Sequence, residues 1–377
     1  MNPFEEKVRG RIERVRTENL TSLDLSFMGL TEFPMDVLEL QHLQSLNLDG
    51  NQMVTLPDGF QQLKNLDTLD LSNGLLTTLP ESFGQLRKLK ELSVGSNFQL
   101  TGLPESFGQL SNLETLDLGG NRLAALPESL GNLYNLKSLH LNNNRLTALP
   151  NNIGKLVALG DLRLFSNQLA NLPESFGSLW HLNTLYLNNN QLTALPNSFG
   201  NLWNLKTLHL DNNQLTALPE NFGLLENLDM IDLGSNRLTG LPDDIGKLKQ
   251  LGRLILNANP LTCLPESFGQ LTALAELSLL DNQLATLPKS FGDLANLQEL
   301  SLGSNPQLKS LPESFGQLPR LKKLYLGFNP RLTTLPESLG NLHSLTNLQL
   351  TGTPITALPD SIRNIKGLTR LSMDPAG

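Results

Sequence analysis

Few side chains in this sequence could carry out chemistry, and their spacing does not bring them together. The chain has five histidines and one cysteine. His140 and His209 share a position in a repeating pattern, but three predicted strands, about 14 Å, separate them, which is too far for one metal ion. Asp232 follows one repeat after His209, yet no serine lies in the same column to complete a hydrolase triad. Cys263 stands in a column of mostly small residues, so a buried small-residue position accounts for it without a nucleophilic role.

Phosphate and cation sites also have little support. The sequence contains no Gly-Lys-Ser/Thr loop and no dinucleotide fingerprint. Asp24, Asp49 and Asp70 form an acidic corner near the N-terminal end where Ca²⁺ is conceivable, but a solvated polar face is the favoured interpretation. We therefore expect no catalytic residues, no metal ligands and no cofactor, and we predict that the chain is not an enzyme.

Composition and charge exclude further classes of protein. Of 377 residues, 28 are Lys or Arg and 36 are Asp or Glu, and the net charge of -8 argues against nucleic-acid binding, which needs a basic surface. No stretch approaches the roughly 18 apolar residues of a membrane helix. Residues 1–19 lack the apolar segment of a secretory signal, and one cysteine cannot form a disulfide framework. We expect a cytoplasmic protein with no membrane partner.

The secondary structure that carries these residues is set by a repeat that fills the chain. The dipeptide Leu-Pro recurs from Leu56-Pro57 to Leu358-Pro359, at steps of 23 residues except for 24 at three places. Internal repeats of this length indicate a solenoid or another repeat architecture. Asparagines follow the same spacing, at Asn51, Asn97, Asn121, Asn144, Asn167, Asn190, Asn213, Asn236, Asn259, Asn282, Asn305 and Asn329.

Each repeat predicts one short strand and one return segment. Leu185 and Leu187 alternate with other residues at the period of a strand with one buried face. A 23-residue unit cannot bury its leucines alone, so it must stack on its neighbours, and its strands then form a parallel sheet. Pro followed by an acidic residue predicts a short helical turn with Pro at its first position. The recurring Asn is predicted to satisfy backbone groups, a column of Phe is predicted to pack the outer core, and sixteen strand cores are expected.

A single unit shows the motif that carries a family resemblance. The unit that begins at Leu182, Leu-Asn-Thr-Leu-Tyr-Leu-Asn-Asn-Asn-Gln-Leu-Thr-Ala-Leu-Pro-Asn-Ser-Phe-Gly-Asn-Leu-Trp-Asn, resembles the leucine-rich repeat family, and the resemblance covers residues 20–373. The Leu-Pro-x-x-Phe-Gly ending is similar to the 23-residue repeats of intracellular bacterial proteins, Roco proteins, plant Ras-group-related proteins and bacterial effectors. The resemblance implies an α/β solenoid, a horseshoe with a parallel concave β-sheet and short helical turns or irregular segments on the convex side.

The two ends of the repeat array have their own interpretations. Residues 1–19 contain an apolar helical stripe, formed by Phe4, Val8, Ile12 and Val15, which predicts an amphipathic helix that caps the first repeat. Membrane binding through this helix is the less favoured alternative, because acidic residues dilute its basic face. Residues 20–377 then form the solenoid, with about fifteen repeats and a final partial repeat. The uncovered edge of that last repeat predicts weak self-association.

The concave face is where the repeat leaves side chains free to vary. Its central column is mostly small and polar, but four consecutive large planar side chains interrupt it from His140 to His209. Tyr, Trp and Arg are enriched at binding hot spots, and the alternative is that neighbouring planar side chains only stack on one another across strands. The predicted partner-binding residues are His140, Asn142, Arg163, Phe165, Tyr186, Asn188, His209, Asp211, Asp232, Trp180 and Trp203.

These observations predict a non-enzymatic scaffold that recognises a protein partner on its concave face. The resemblance supports this function, since such curved solenoids usually serve as recognition surfaces, although a fold alone does not establish function. One alternative is an effector that is exported by a non-Sec route into a host cell, with a ubiquitin-ligase-like or other unrecognised activity. A second alternative is a self-assembling structural protein that uses its C-terminal edge.

Overall fold

The computed structural model describes residues 3–374, and two compact units divide this part of the chain. The first unit ends at Asn190 and the second begins at Gln191. Both are built from the same repeat, a three-residue strand followed by a short 3-10 helix. Each unit is therefore an α/β solenoid of the predicted leucine-rich-repeat type.

The first unit contains helix α1 (Pro3–Glu18) and eight parallel strands. Strands that are neighbours along the chain pair in register, so that Leu23 lies beside Leu46 and Leu139 beside Leu162. The strands are β1 (Ser22–Asp24), β2 (Ser45–Asn47), β3 (Thr68–Asp70), β4 (Glu91–Ser93), β5 (Thr115–Asp117), β6 (Ser138–His140), β7 (Asp161–Arg163) and β8 (Thr184–Tyr186).

The second unit repeats this arrangement with eight further parallel strands. Its strands also pair in chain order and in register, as His209 with Asp232 and Asp232 with Ile255. They are β9 (Thr207–His209), β10 (Met230–Asp232), β11 (Arg253–Ile255), β12 (Glu276–Ser278), β13 (Glu299–Ser301), β14 (Lys323–Tyr325), β15 (Asn347–Gln349) and β16 (Arg370–Ser372). Within residues 3–374 the predicted number of sixteen strands is confirmed.

Short 3-10 helices return the chain between strands. Pro80 directly precedes one of them with an extended backbone, φ -69° and ψ 151°, and its carbonyl accepts the first helical bond from the Phe83 N–H at 2.9 Å. The sequence predicted Pro at the first position of the helical turn, but Pro80 lies directly before that turn, so the prediction is wrong by one residue. The 3-10 helices in the described chain span Met35–Glu39, Phe60–Gln62, Glu81–Gln85, Glu105–Gln109, Glu128–Asn132, Ile153–Lys155, Glu174–Ser178, Asn197–Asn201, Phe222–Leu224, Asp243–Lys247, Glu266–Gln270, Lys289–Asp293, Glu313–Gln317, Glu337–Asn341 and Asp360–Asn364.

Each recurring Asn holds its repeat to the preceding one through its side-chain amide. Asn167 Nδ2 donates to the carbonyls of Leu141 at 2.9 Å and Leu164 at 3.0 Å, and its Oδ1 accepts the N–H of Leu146 at 3.0 Å. Asn167 is buried, and its Oδ1 satisfies the Leu146 N–H in the core, while the Leu141 and Leu164 carbonyls each also accept the amide of a neighbouring Asn. The predicted structural role of the Asn is confirmed.

The Phe column forms the outer part of the core, as predicted. The Phe83 and Phe107 rings are fully buried and stack with centroids 6.2 Å apart and planes 2° from parallel. The glycine after Phe83 lets the next return segment lie close, because a Cβ built on Gly84 would lie 2.1 Å from the Ser106 carbonyl oxygen of the next repeat. A larger residue at Gly84 would therefore push these two return segments apart.

Helix α1 lies against the first repeat through three of its four predicted apolar residues. Val8, Ile12 and Val15 are buried, whereas Phe4 is 55% exposed. The prediction that Phe4 belongs to the buried stripe is therefore wrong. Arg16 pairs with Glu39 at 2.7 Å, which ties the last turn of the helix to the first return segment. That residues 1–19 act as a cap stays a prediction.

Candidate functional site

The variable side chains of this protein lie on the open face of each sheet, which we define as the strand face opposite the leucine core. Leucines in the middle of the strands, such as Leu162 and Leu208, are buried, while their flanking strand residues are only partly covered. Because the leucines, the Asn and the Phe already satisfy the core, the residues on the open face can change without loss of packing. We therefore expect the functional side chains to lie on the open face.

In the first unit, a carboxylate organises the open face. Asp161 begins β7, and its Oδ2 lies 3.3 Å from His140 Nε2 on β6 and 3.1 Å from Arg163 Nη2 on its own strand. Arg163 Nε adds a second bond to the same oxygen at 3.2 Å, and Ser138 Oγ lies 3.1 Å from His140 Nε2. We call Ser138, His140, Asp161 and Arg163 the Asp161 cluster.

Two aromatic rings continue this arrangement along the same face. The Arg163 guanidinium carbon lies 5.8 Å from the centre of the Tyr186 ring, within the range of a cation–π contact. The Phe165 and Tyr186 rings meet edge to face, with centroids 6.4 Å apart and planes at 73°. Aromatic pairs prefer this geometry. Phe165 is half-buried rather than fully exposed, so the ring pair is a fixed feature of the surface.

The charges around Asp161 favour its ionised form. Burial opposes the charge, but the bonds from His140 and Arg163 outweigh it, so the pKa of Asp161 is lowered. Two potential cations thus face one carboxylate, and the Asp161 cluster holds the Arg163 side chain in place over Tyr186.

The other residues of the first unit that were predicted to bind a partner are Asn142, Asn188 and Trp180. The Asn142 carbonyl accepts the N–H of Gly120 at 2.9 Å. Asn188 Oδ1 is buried, and the structure gives it no hydrogen-bond partner within the described chain. Trp180 lies in the turn before β8 and is 48% exposed. Its membership in a binding surface stays a prediction.

In the second unit, the same position holds a histidine with a different set of neighbours. His209 ends β9 and is paired in register with Asp232 at the end of β10. Asp211 follows two residues after His209, with its Oδ1 3.9 Å from His209 Nδ1. One ligand atom from each of the three residues lies within 4.8 Å of those of the other two. We call these three residues the His209 cluster.

The His209 cluster has an excess of negative charge. Burial raises the pKa of Asp232, the Gly234 N–H lowers it, and the nearby Asp211 carboxylate raises it further, for a net rise. One oxygen of each carboxylate is held by an N–H group, Asp232 Oδ1 by Gly234 at 2.9 Å and Asp211 Oδ2 by Asn212 Nδ2 at 2.8 Å. Trp203 in this unit is 57% exposed, in the turn before β9.

Sequence reasoning missed Asp161 and did not foresee the His209 cluster as a group. It compared residues one full repeat apart, whereas His140 and Asp161 are 21 residues apart and therefore meet diagonally across two strands. A search at spacings of 21 and 2 residues in addition to 23 would have found both clusters. Of the described residues, only those of the His209 cluster bring three ligand atoms of His, Cys, Asp or Glu this close.

Two smaller sequence interpretations can be compared with the structure. Cys263 is exposed. The prediction of a buried small-residue position is therefore wrong, because that column faces solvent just before the Leu-Pro turn.

In the acidic corner, Asp24 Oδ1 accepts a hydrogen bond from the Ser26 N–H at 2.9 Å and Asp49 Oδ1 accepts one from Asn73 Nδ2 at 2.8 Å. These carboxylates satisfy local donors, as expected for a polar face.

Family comparisons cover most of the repeats. A family described as "Leucine-rich repeat region" matches residues 23–119, 96–168 and 196–286. The descriptions "Leucine Rich repeats (2 copies)" and "Leucine Rich Repeat" match residues 295–341 and 181–202. A search of curated protein sequences found no match. No helix within residues 3–374 has the length and apolar character needed to cross a membrane.

Solved structures show the same fold in proteins of several kingdoms. A leucine-rich repeat protein of Leptospira interrogans is 38% identical, with a TM-score of 0.71 over 96% of this chain and 97% of that one. The Arabidopsis receptor kinase HAESA, in complex with a peptide hormone and a co-receptor, is 28% identical, with a TM-score of 0.55 over 95% of this chain and 74% of its own. A chain of the Drosophila Toll–Spatzle complex is 26% identical, with a TM-score of 0.77 over 92% of this chain and 49% of its own.

Proposed function

The chain belongs to the leucine-rich repeat family, and we propose that it recognises a protein partner through the open face of its first unit. Leucine-rich repeat domains generally mediate protein–protein interaction, and proteins of this fold are typically non-enzymatic binding modules. The Arabidopsis and Drosophila relatives were solved as complexes with a peptide hormone and with Spatzle. They support a protein ligand as the class of partner.

The observation that carries the proposal is the arrangement of Asp161, Arg163, Tyr186 and Phe165. These side chains lie outside the core, which the buried strand leucines and the Asn form. Asp161 holds Arg163 Nε and Nη2, and Tyr186 lies under the guanidinium. A partner would meet an arginine and two rings whose positions are already fixed, so binding costs little ordering of side chains.

The residue types on this face match those that dominate binding energy. Arg and Tyr are enriched among interface residues whose truncation costs 2 kcal/mol or more. His140 ends β6 and Asn142 follows it by two residues, and Asn188 and Trp180 flank β8. We place these four residues at the border of the surface, where they would exclude water around the central arginine and tyrosine.

The test compares capture of a partner by three forms of the full chain. Wild type, Arg163→Ala with Tyr186→Ala, and Lys323→Ala with Tyr325→Ala are immobilised, and captured proteins are identified by quantitative mass spectrometry. Lys323 and Tyr325 are a matched control, because they also place a base and a tyrosine on one strand of an open face. We expect the variant in the first unit to bind its partner at least about 30-fold more weakly.

Stability and capture must be measured on the same preparations. The substituted side chains lie outside the core, so melting temperatures should change by only a few degrees. Equal capture by all three forms would contradict the proposal, and so would loss of capture in the Lys323 and Tyr325 variant alone.

A further inference from the structure

We propose that His209, Asp211 and Asp232 bind one divalent transition-metal ion, for which Zn²⁺ is the probe, on the open face of the second unit. The site stands independently of the partner surface proposed in the first unit, since it uses none of the same residues. Its basis is the juxtaposition of one imidazole and two carboxylates on β9, on the segment that follows β9, and on β10.

The geometry brings the three ligand atoms close to the spacing that a metal ion needs. Zinc bound at about 2.1 Å by nitrogen and oxygen in a tetrahedron requires ligand atoms about 3.4 Å apart. His209 Nδ1 and Asp211 Oδ1 are 3.9 Å apart, and all three ligand atoms lie within 4.8 Å of one another. Small side-chain rotations close this gap, because the backbone register between His209 and Asp232 already places the groups side by side.

Hydrogen bonds orient the two carboxylates. The Gly234 N–H holds Asp232 Oδ1 and the Asn212 amide holds Asp211 Oδ2. Outer-shell bonds of this kind orient the ligands in metal sites and increase affinity. With Asp211 Oδ2 held on the side of Asn212, its Oδ1 is the oxygen directed toward His209.

The electrostatics of the cluster also favour a bound cation. Two carboxylates and one imidazole lie close together in a half-buried position, and their excess of negative charge is costly without a compensating cation. Arg253 on the next strand supplies only part of that positive charge, because its Nε also pairs with Glu276 Oε2 at 3.3 Å. A divalent ion would neutralise both carboxylates at once.

The donor set selects the kind of ion. One imidazole nitrogen with two carboxylate oxygens suits zinc and related first-row ions, whereas Ca²⁺ and Mg²⁺ prefer six or more oxygen ligands. Three protein ligands on an open surface leave a fourth coordination position for water or for a group from another molecule. A pure calcium site would need more oxygen donors than these three residues offer.

The experiment is a calorimetric titration of the full, tag-free, chelator-treated chain with Zn²⁺ alone. We expect one saturable site per chain in wild type. Asp232→Asn and His209→Gln keep the side-chain shape but remove a ligand, and each should weaken binding by more than the roughly 10–100-fold that loss of an outer-shell group costs. His140→Gln is the matched control, because His140 occupies the same strand position but contacts a carboxylate, Asp161, that is already paired with Arg163, and its Zn²⁺ binding should equal that of wild type.

Co²⁺ provides a second readout that does not depend on heat of binding. Its visible absorption should appear in wild type and in His140→Gln and disappear in Asp232→Asn, while thermal melting in chelator shows that every variant is folded. The proposal is overturned if wild type shows no saturable Zn²⁺ site. It is also overturned if Asp232→Asn and His209→Gln bind as wild type does, if His140→Gln alone loses the site, or if Ca²⁺ binds in preference to Zn²⁺.

Discussion

His140 and His209 end strands at equivalent positions of their repeats, and both side chains are about a quarter exposed. His140 contacts Asp161, a carboxylate that also binds Arg163, and is paired in register with Asp117 on the preceding strand. His209 lies beside two carboxylates, Asp211 and Asp232. The residue paired in register with the histidine on the following strand is Arg163 in the first unit and Asp232 in the second. Three equivalent positions separate the charge-balanced cluster from the acidic one, because Asn142, Asp161 and Arg163 in the first unit correspond to Asp211, Met230 and Asp232 in the second.

This difference shows that one set of residues in a repeat determines the fold and another set determines the chemistry of its surface. The same supporting bonds lie beneath both histidines, since Asn167 and Asn236 each donate to the carbonyls of two equivalent leucines and accept the N–H of a third. The chemistry of each site therefore depends on only two or three open-face residues. A fold of this kind can change what it binds without changing how it is held together.

The largest expected effect tests whether the two regions share the same scaffold. Asn167→Ala and Asn236→Ala each leave one buried N–H, that of Leu146 or Leu215, without a partner, and each removes one of the two amide bonds to two buried carbonyls. Each should therefore lower the free energy of unfolding by about 3 kcal/mol. Asn135→Ala is the control, because its exposed amide donates to a single carbonyl, that of Ser111, and should cost no more than about 1 kcal/mol. Chemical denaturation measures all three. Unequal losses at Asn167 and Asn236 would mean that the regions differ beneath the surface as well.

These buried features are the part of the molecule that the sequence predicted well. A buried amide or a strand leucine has one physical role that recurs at every repeat, so spacing alone identifies it. The sixteen strands, the Asn and the Phe column followed from that recurrence. The Pro position was wrong by one residue because a 3-10 helix begins with the carbonyl of the residue before it, which a residue pattern does not show.

The open face was harder to predict because its contacts are diagonal and depend on side-chain direction. The sequence identified His140, Arg163, Tyr186 and Phe165 by type. It could not show that Asp161 joins two of them, since Asp161 lies in a different column and reaches His140 on the adjacent strand and Arg163 on its own strand. The exposure of Cys263 was missed for a related reason, because small residues fill both buried slots and solvent-facing turns.

A second prediction converts one region into the other. Arg163→Asp places a second carboxylate beside His140 and Asp161, and in a His209→Gln background it should create a new Zn²⁺ site in the first unit. Zn²⁺ at ten times the dissociation constant would then stabilise this variant by about 1.4 kcal/mol. The background variant without Arg163→Asp is the control. If differential scanning calorimetry shows no Zn²⁺-dependent stabilisation of Arg163→Asp, the number of carboxylates beside the histidine does not explain why the two clusters should differ in Zn²⁺ binding.

A third prediction concerns the opposite effects of removing one carboxylate from each cluster. In chelator at pH 7, Asp161→Asn should lower the free energy of unfolding by up to about 1 kcal/mol, because it removes the partner of His140 and Arg163. Asp232→Asn should leave it unchanged or raise it by a similar amount, because the raised pKa of Asp232 means that the fold disfavours its charge. Chemical denaturation of the two variants gives the sign of each change in the free energy of unfolding. If Asp232→Asn loses as much stability as Asp161→Asn, the two clusters do not differ in their electrostatics as proposed.

The smallest expected effect is the pH dependence of the Asp161 contribution. Since the folded state lowers the pKa of Asp161 below its ordinary value of 3.8, ionisation of this carboxylate stabilises the fold. That stabilisation is fully present above the ordinary value and is lost as the pH falls through the lower pKa of the folded state. The difference between wild type and Asp161→Asn should therefore be constant from pH 7 to about pH 5 and shrink in stronger acid. Measuring only this difference cancels the other acidic groups, and a difference that grows on acidification would show that His140 and Arg163 do not stabilise the charge of Asp161.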